Sequence, residues 1–310
     1  MNLQERQQLE AEITALTKMI HSMPKDLILE REGFESRKKE IEAILERYPE
    51  PKKEAARGFI TFRGKPVIGT QGIFVKFASE ALGSFMDAVA TVGDSMSGNL
   101  GARGQVPERE KFSLIITAIA HGSFGFQLEE PLRGNDIQQP LFEEGSPIKL
   151  ALDKTCEFFR ATLGSDDELT NAVSDADARA IDNVRKFLDL LISNQAYCAF
   201  DFEKERGFRF NNVSEVQESL ERIRQENIHE ETIEITGFFE GVIPKKRDFQ
   251  FREEGKHDSI VGKIESEIED AADINNYLKE KVRVTLLKKT VGQGTPRYKL
   301  KKYTVLHDSE

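Results

Sequence analysis

The sequence predicts an α+β protein in three parts. These are an antiparallel helical hairpin arm over residues 1–57, an α+β body with a hairpin-built sheet over 58–228, and a small five-stranded β-barrel over 229–310. Three observations carry that expectation. Leu9, Ile13, Leu16, Ile20 and Met23 follow one another at intervals of four and three, the period of a helical seam. Phe112 to Glu130 contains two strand-like runs around a His-Gly-Ser turn. Beyond residue 229 the pattern becomes three strands, a helix and two more strands.

Composition narrows the function classes. With 38% hydrophobic residues in 310, the chain is globular and of roughly two domains' size. There are 21 Phe and no Trp, so the cores must be filled largely by Phe. The net charge of -10 disfavours attraction of the whole surface to nucleic acid but permits a local basic patch. No apolar run approaches the roughly 18 residues that span a bilayer. MNLQERQQLEAEI has neither the basic start nor the apolar centre of a secretion signal. A cytoplasmic location with no membrane partner is therefore expected. Cys156 and Cys198 lie far apart in apolar patterns and read as two buried thiols in a reducing compartment.

In the arm, Pro24 and Asp26 end the first helix, Leu27 to Leu29 read as extended, and Gly33 as the cap of a second helix. Phe34, Ile41 and Tyr48 then recur every seven residues. Two helices bury little alone, so the hairpin must lean on its own body or on another chain. In the body, Phe59 to Gly64 reads as a strand and Ile73 to Val92 as an inner helix, with Phe74, Ala78, Ala81, Phe85, Ala88 and Val92 in one stripe. Phe112 to Ala120, apolar on both faces, reads as a strand covered from two sides. Together with Phe124–Glu130, whose Phe124, Phe126 and Leu128 share a buried face, it is expected at the centre of the sheet. Three helices follow, opened by Ser146-Pro147, by a Ser165/Glu168 capping box and by Ser174. Ala196 to Phe210 reads as a second hairpin, and Ser214 with Gln217 caps a last helix.

The barrel strands are expected at Glu231–Ile243, Arg247–Arg252, Ser259–Glu265, Lys281–Thr290 and Pro296–Leu306, with a helix from Ser266 to Leu278. This order resembles the OB-type barrel, and Gly237 and Gly241 sit where its long first strand must bend. From Lys281 to His307 there is no acid, whereas Arg283, Lys288, Lys289, Arg297, Lys299, Lys301 and Lys302 are basic. With Val282, Val284, Leu286, Tyr298 and Leu300 inward, a basic edge could follow a single-stranded nucleic acid, with an exposed Phe238 or Tyr303 for stacking. Thr290 to Pro296 would be the loop between strands four and five, which lines the ligand groove in OB barrels. The alternative is a basic face docked on an acidic partner, including this chain's own helices.

Gly69, Thr70, Gln71 and Gly72, followed by Lys76, resemble the GxxG loop of KH RNA-binding domains, which would imply a phosphate-clamping loop. A helix precedes that loop in KH domains, whereas Pro66 and a strand-like run precede it here; the other reading is a tight turn into a buried helix. His21, His121, His229, His257 and His307 show no zinc-ligand spacing. His121 beside Ser123 invites a nucleophile reading, but GxSxG is absent. Glu129, Glu130, Asp201 and Glu203 could meet at the ends of the two hairpins and hold a metal, but solvated strand ends explain them more cheaply. No Walker loop or dinucleotide fingerprint is present. The expectation is a non-catalytic assembly or adaptor protein without cofactor or metal. It would bind partner proteins, or itself, through arm and barrel; the alternative is nucleic-acid binding by the barrel's basic edge.

Overall fold

A computed structural model describes residues 3–23, 27–48, 55–96, 109–120, 124–131, 146–203 and 206–306. The arm consists of α1 (Leu3–Ser22) and α2 (Ile28–Arg47), so Leu27 to Leu29 do not form an extended link and Gly33 lies inside α2. The helices run antiparallel. Arg37 on α2 pairs with Glu12 on α1 at 2.9 Å, and the Arg31 guanidinium donates to the Ile20 carbonyl at 3.1 Å. Leu16 and Ile41 are buried in the seam. Among the described residues, each arm helix finds its only extensive packing partner in the other.

The body sheet contains β1 (Arg57–Gly64), β4 (Ile115–Ala120), β5 (Gly125–Glu129), β6 (Ala196–Phe202) and β7 (Phe208–Arg209). Its order is β4-β5-β1-β6-β7, and all its pairs are antiparallel. The Phe112–Glu130 hairpin is therefore not the centre. β1 is central, and β4 is an edge strand whose Ile115, Ile116 and Ile119 are exposed. Phe112 leaves the strand for a 3₁₀ turn (Arg109–Phe112) that packs near Gly93 of α3 (Val75–Ser95). An apolar run has the same composition at an edge as in a covered strand; only the neighbours tell them apart. A short ladder, β2 (Val67–Ile68) with β3 (Gly72–Ile73), leads into α3.

One face of the sheet, carrying Ile60, Phe62, Leu128, Cys198, Phe200 and Phe202, is covered by helices. These are α3, α4 (Pro147–Leu163), α5 (Asp166–Asp175), α6 (Ala178–Ser193) and α7 (Val213–Arg222). Phe rings join the layers: Phe85 lies 5.1 Å from Phe200, and Phe159 stacks on Phe208 at 4.4 Å. The α3 stripe is buried except at Phe74, which is the N-cap and is exposed. Ser146 caps α4, and Ser165 with Glu168 forms the capping box of α5. The other two caps differ from expectation. Asp177 precedes α6, leaving Ser174 inside α5, and Asn212 caps α7 in place of Ser214. The helix starts where its apolar phase meets the core, and that selects among neighbouring cap-forming residues.

The last strands are β8 (Ile228–Ile243), β9 (Asp248–Glu253), β10 (Ser259–Ile264), β11 (Val282–Val291) and β12 (Arg297–Val305). They close in the order β10-β12-β11-β8-β9, with β10 and β12 parallel and the other pairs antiparallel. The β8 register slips between Phe239 and Gly241, the expected bend. The expected helix at Ser266–Leu278 is instead a 3₁₀ turn, Asp273–Tyr277. Asp270 accepts from the Ala272 amide at 2.8 Å, and Asp273 accepts from the Asn276 side chain. Such local bonds compete with helical ones, and Ala271 and Ile274 fill the end of the barrel core.

Barrel and body share core. Val291 is buried within the body's apolar cluster, and Ile228 packs against it. The β11–β12 loop sits on the start of α5: the Gln293 amide donates to Asp166 at 3.0 Å and the Thr295 amide to Asp167 at 2.6 Å. The Thr170 hydroxyl accepts from the Val291 amide at 3.1 Å. Gly294 allows this approach, since a Cβ there would meet the Asp166 carbonyl oxygen at 2.6 Å.

Candidate interaction surfaces

The basic residues of the last two strands do not form one patch. Lys288 faces Glu231 at 3.7 Å, and the nearly buried Lys289 pairs with Glu230 at 2.8 Å, both across the β8–β11 ladder. Arg297 donates to Asn171 of α5. Lys299 lines a cleft of about 510 Å³ between body and barrel. Arg283, Lys301 and Lys302 are exposed and have no ion pair among the described residues. Lys301 is the extra residue of a bulge, since Thr285 faces Lys302 and Leu286 faces Leu300. The bulge resets the alternation and turns Tyr303 toward the barrel core, contrary to the expected stacking role. Its ring lies 6.0 Å from Phe239 and its hydroxyl donates to Asp273 at 3.1 Å. Burial first, and then the Asp273 carboxylate, push the Tyr303 hydroxyl up to about 12. Phe238 is half-buried.

The loop expected to line a ligand groove is occupied by α5. The Asp166 carboxyl is held below the usual range by the Gln293 amide and then by Arg222, which pairs with it at 2.9 Å. The Thr295 amide does the same for Asp167, and the Ser165 amide for Glu168. The body–barrel cleft is lined by Lys154, Glu157, Asp175 and Asp177 from the body and by Lys246, Arg247, Lys263, Glu265, Glu267 and Lys299 from the barrel, so both walls carry both signs. Burial pushes the Asp177 carboxyl up, against the pull of Lys299 and Lys289. A pocket with balanced signs favours neither an anion nor a cation.

Gly69, Thr70 and Gln71 form the exposed turn between β2 and β3, closed by the Gln71 amide donating to the Ile68 carbonyl at 2.9 Å. Gly69 has φ +52°, and Gly72 lies in β3. Lys76 is exposed in the first turn of α3, which carries no acid there. A strand precedes the turn, so the helix that comes before the loop in KH domains is not there.

The four acids each have their own partners. Glu129, buried with its neighbour Gln127, pairs with Arg57 at 3.2 Å, so the polar face of β5 is covered rather than solvated. Glu130 accepts from the Ala56 amide and the Ser146 hydroxyl. Asp201 faces Arg209, and Glu203 pairs with Lys149. None of them lines the body–barrel cleft. Among the described residues no group of three His, Cys, Asp or Glu is placed to hold a metal, and no helix is long and apolar enough to cross a membrane. His121, Ser123 and His307 lie outside the described residues. Burial raises both thiols, Cys156 and Cys198, far above the ordinary range.

One surface was not anticipated. Met19 and Ile44 are exposed on the arm, at 49% and 39%. Each lies one heptad along its helix from a member of the Glu12–Arg37 pair, a spacing already present in the sequence. Comparison with known protein families, characterised proteins and solved structures finds no match to this chain.

Proposed function

We propose that this chain is a non-catalytic assembly or adaptor protein of the cytoplasm, which binds partner proteins or further copies of itself through the helical arm and the barrel. The arm carries the reading: a two-helix hairpin with no extensive packing on the rest of the described chain, and with large apolar side chains left exposed. An isolated helical pair is marginal in water, so a partner on its open side supplies the missing burial. The barrel is read as OB-like, because its strands, numbered one to five in chain order, neighbour one another as 1-2-3-5-4-1 with strands three and five parallel. The reading invokes no cofactor. Its test is cross-linking mass spectrometry on the purified full chain through Lys18 and Lys39, both exposed on the arm. Links to another polypeptide or another copy are expected, and links confined to the arm's own chain would end the reading.

A second reading, nucleic-acid binding by the barrel, has support from Arg283, Lys301 and Lys302, which stand exposed without ion pairs among the described residues. The pairing of Lys288 and Lys289 with β8 acids, and the docking of Arg297 on α5, leave it a smaller basic surface than the sequence suggests.

A further inference from the structure

One end of the body is apolar and basic at once. Between Glu54 and Glu80 the chain carries Arg57, Arg63, Lys65 and Lys76 and no acid. Arg57 is taken by Glu129, whereas Arg63, Lys65 and Lys76 are exposed and have no ion pair among the described residues. The β2–β3 ladder sorts its side chains by alternation. Val67 and Ile73, opposite one another, pack on the body core. Ile68 and Phe74 leave from the other side and are 53% and 59% exposed. The Phe74 amide donates to the Pro66 carbonyl at 3.0 Å, which holds Phe74 in line with the ladder, diagonal to Ile68 across Gly72. A Cβ on Gly72 would meet nothing within 4 Å, so the space above it is open. Val75, 83% exposed, begins α3 beside them. This end also protrudes. The α3 helix runs antiparallel to α6, with the Phe85 ring 5.7 Å from Phe187 and Asn183 donating to Thr91 at 3.3 Å. At the helical rise, Phe74 to Lys76 therefore extend roughly 5–10 Å past the end of α6 at Ser193.

We infer that the tip formed by Ile68, Phe74 and Val75, flanked by Lys65 and Lys76 and with Arg63 at its base, docks reversibly on an anionic lipid bilayer. The inference goes beyond the reading of arm and barrel and does not depend on it. Three arguments select this partner. The first is charge. Free cations beside an apolar tip call for a surface that is negative outside and apolar beneath, as a bilayer of anionic lipids is. A chain of net charge -10 is otherwise repelled by such a surface, so the tip also fixes the orientation of approach. The second is shape. A protruding tip needs no preformed pocket in a bilayer, and its reach matches the depth of about 5–10 Å at which interfacial segments sit. The third is size and side-chain type. The three side chains offer on the order of 300 Å², well short of the roughly 800 Å² per partner of a standard protein interface. Two of the three are aliphatic, so a nucleic acid would engage the cations but find little to stack on. Contact of this kind needs no spanning helix.

The chain has no Trp, so Phe74→Trp in the full chain places a single indole at the tip. With vesicles of phosphatidylserine and phosphatidylcholine its emission should move to the blue and be quenched by lipids brominated on their acyl chains. Pure phosphatidylcholine should leave it unchanged, and added salt should weaken the effect. In that background Lys65→Glu/Lys76→Glu should lower vesicle affinity at least about twentyfold, roughly fivefold for each cation removed. Ile68→Ser/Val75→Ser should lower it at least about tenfold, whereas Val261→Ser, at an exposed apolar position on the barrel, should leave it unchanged. All these side chains are exposed, and unchanged circular dichroism checks each fold; the Phe74→Trp readings stand without the further variants. Emission indifferent to anionic vesicles, a shift without bromine quenching, or binding equal in both double variants would each overturn the inference. So would a shift caused by a single-stranded oligonucleotide and not by vesicles, or Lys65 and Lys76 cross-linking to another polypeptide while vesicles have no effect. The cross-links from Lys18 and Lys39 are read separately, so the arm's docking role stands or falls without this result.

Discussion

At the scale of single residues, closeness of approach decides more than residue type. Gly125 lies where β5 meets β1, and a Cβ there would collide with the Ile60 carbonyl and stand 2.8 Å from the Thr61 Cα. Gly125→Ala should cost about 1–3 kcal/mol, as overpacking does, read as a lower urea midpoint; an unchanged midpoint would mean that the sheet yields there. Ser174 gives the opposite prediction. Its buried Oγ has no hydrogen-bond partner among the described residues, and it lies inside α5. Ser174→Ala removes an unpaired group and raises helix propensity, so stability should stay level or rise by up to about 1 kcal/mol. Ser165→Ala, at a capping box, should lose about 1 kcal/mol. Both serines precede apolar runs, and the sequence shows only that either could cap; the packing of α6 on α3 gives the start of α6 to Asp177.

At the scale of elements, the contact between α5 and the β11–β12 loop makes a pH prediction. Asp166, Asp167 and Glu168 have lowered pKa values in the folded chain, so each keeps its charge to lower pH folded than unfolded. Their contribution is complete above the ordinary carboxyl range of about 4 and is lost as pH falls through the depressed folded values. Amide NMR shifts of Gln293 and Thr295 should therefore stay constant down to about pH 4 and move only below it. Asp167→Asn should shift the Thr295 amide at neutral pH and remove its acid step. A midpoint near pH 6 would contradict the assignment. Element order shows the limit of pattern reading. Period two was visible in β5, yet Gln127 and Glu129 are buried with Leu128, because β1 comes alongside and brings Arg57 to Glu129. Nothing in the run Ile115–Ala120 says that only one side would acquire a neighbour.

At the scale of the whole molecule, the division of the basic residues between internal pairs and solvent sets what the barrel can offer to a nucleic acid. If the nucleic-acid reading holds, Lys301→Glu/Lys302→Glu should weaken single-stranded oligonucleotide binding and flatten the log K against log salt slope by at least about 1.4, the share of two lysine contacts. No binding by the wild-type chain at low salt would remove that reading, and an unchanged slope would take these two lysines out of it. Some of this division was legible. The sequence marks TVGQGTP as a loop, and docking on the chain's own helices is one of the two readings of the basic face, whereas the loop itself reads only as lining a ligand groove. Lys288 and Lys289 were not separable from Lys301 and Lys302, because cross-strand register and the bulge at Lys301 assign their partners.

The sequence alone determined the local grammar. The heptad seam of the arm, the capping box at Ser165, the Phe-rich core stripes and the five barrel strands all follow from periodicity and cap chemistry within a few residues of chain. Tertiary structure decided which strand is central, which lysines remain exposed, that α5 occupies the barrel loop, and that Met19 and Ile44 stay exposed. Each of these depends on residues far apart in the chain being brought together. Local spacing sets which side a side chain leaves from, and the long-range contact sets what it meets there.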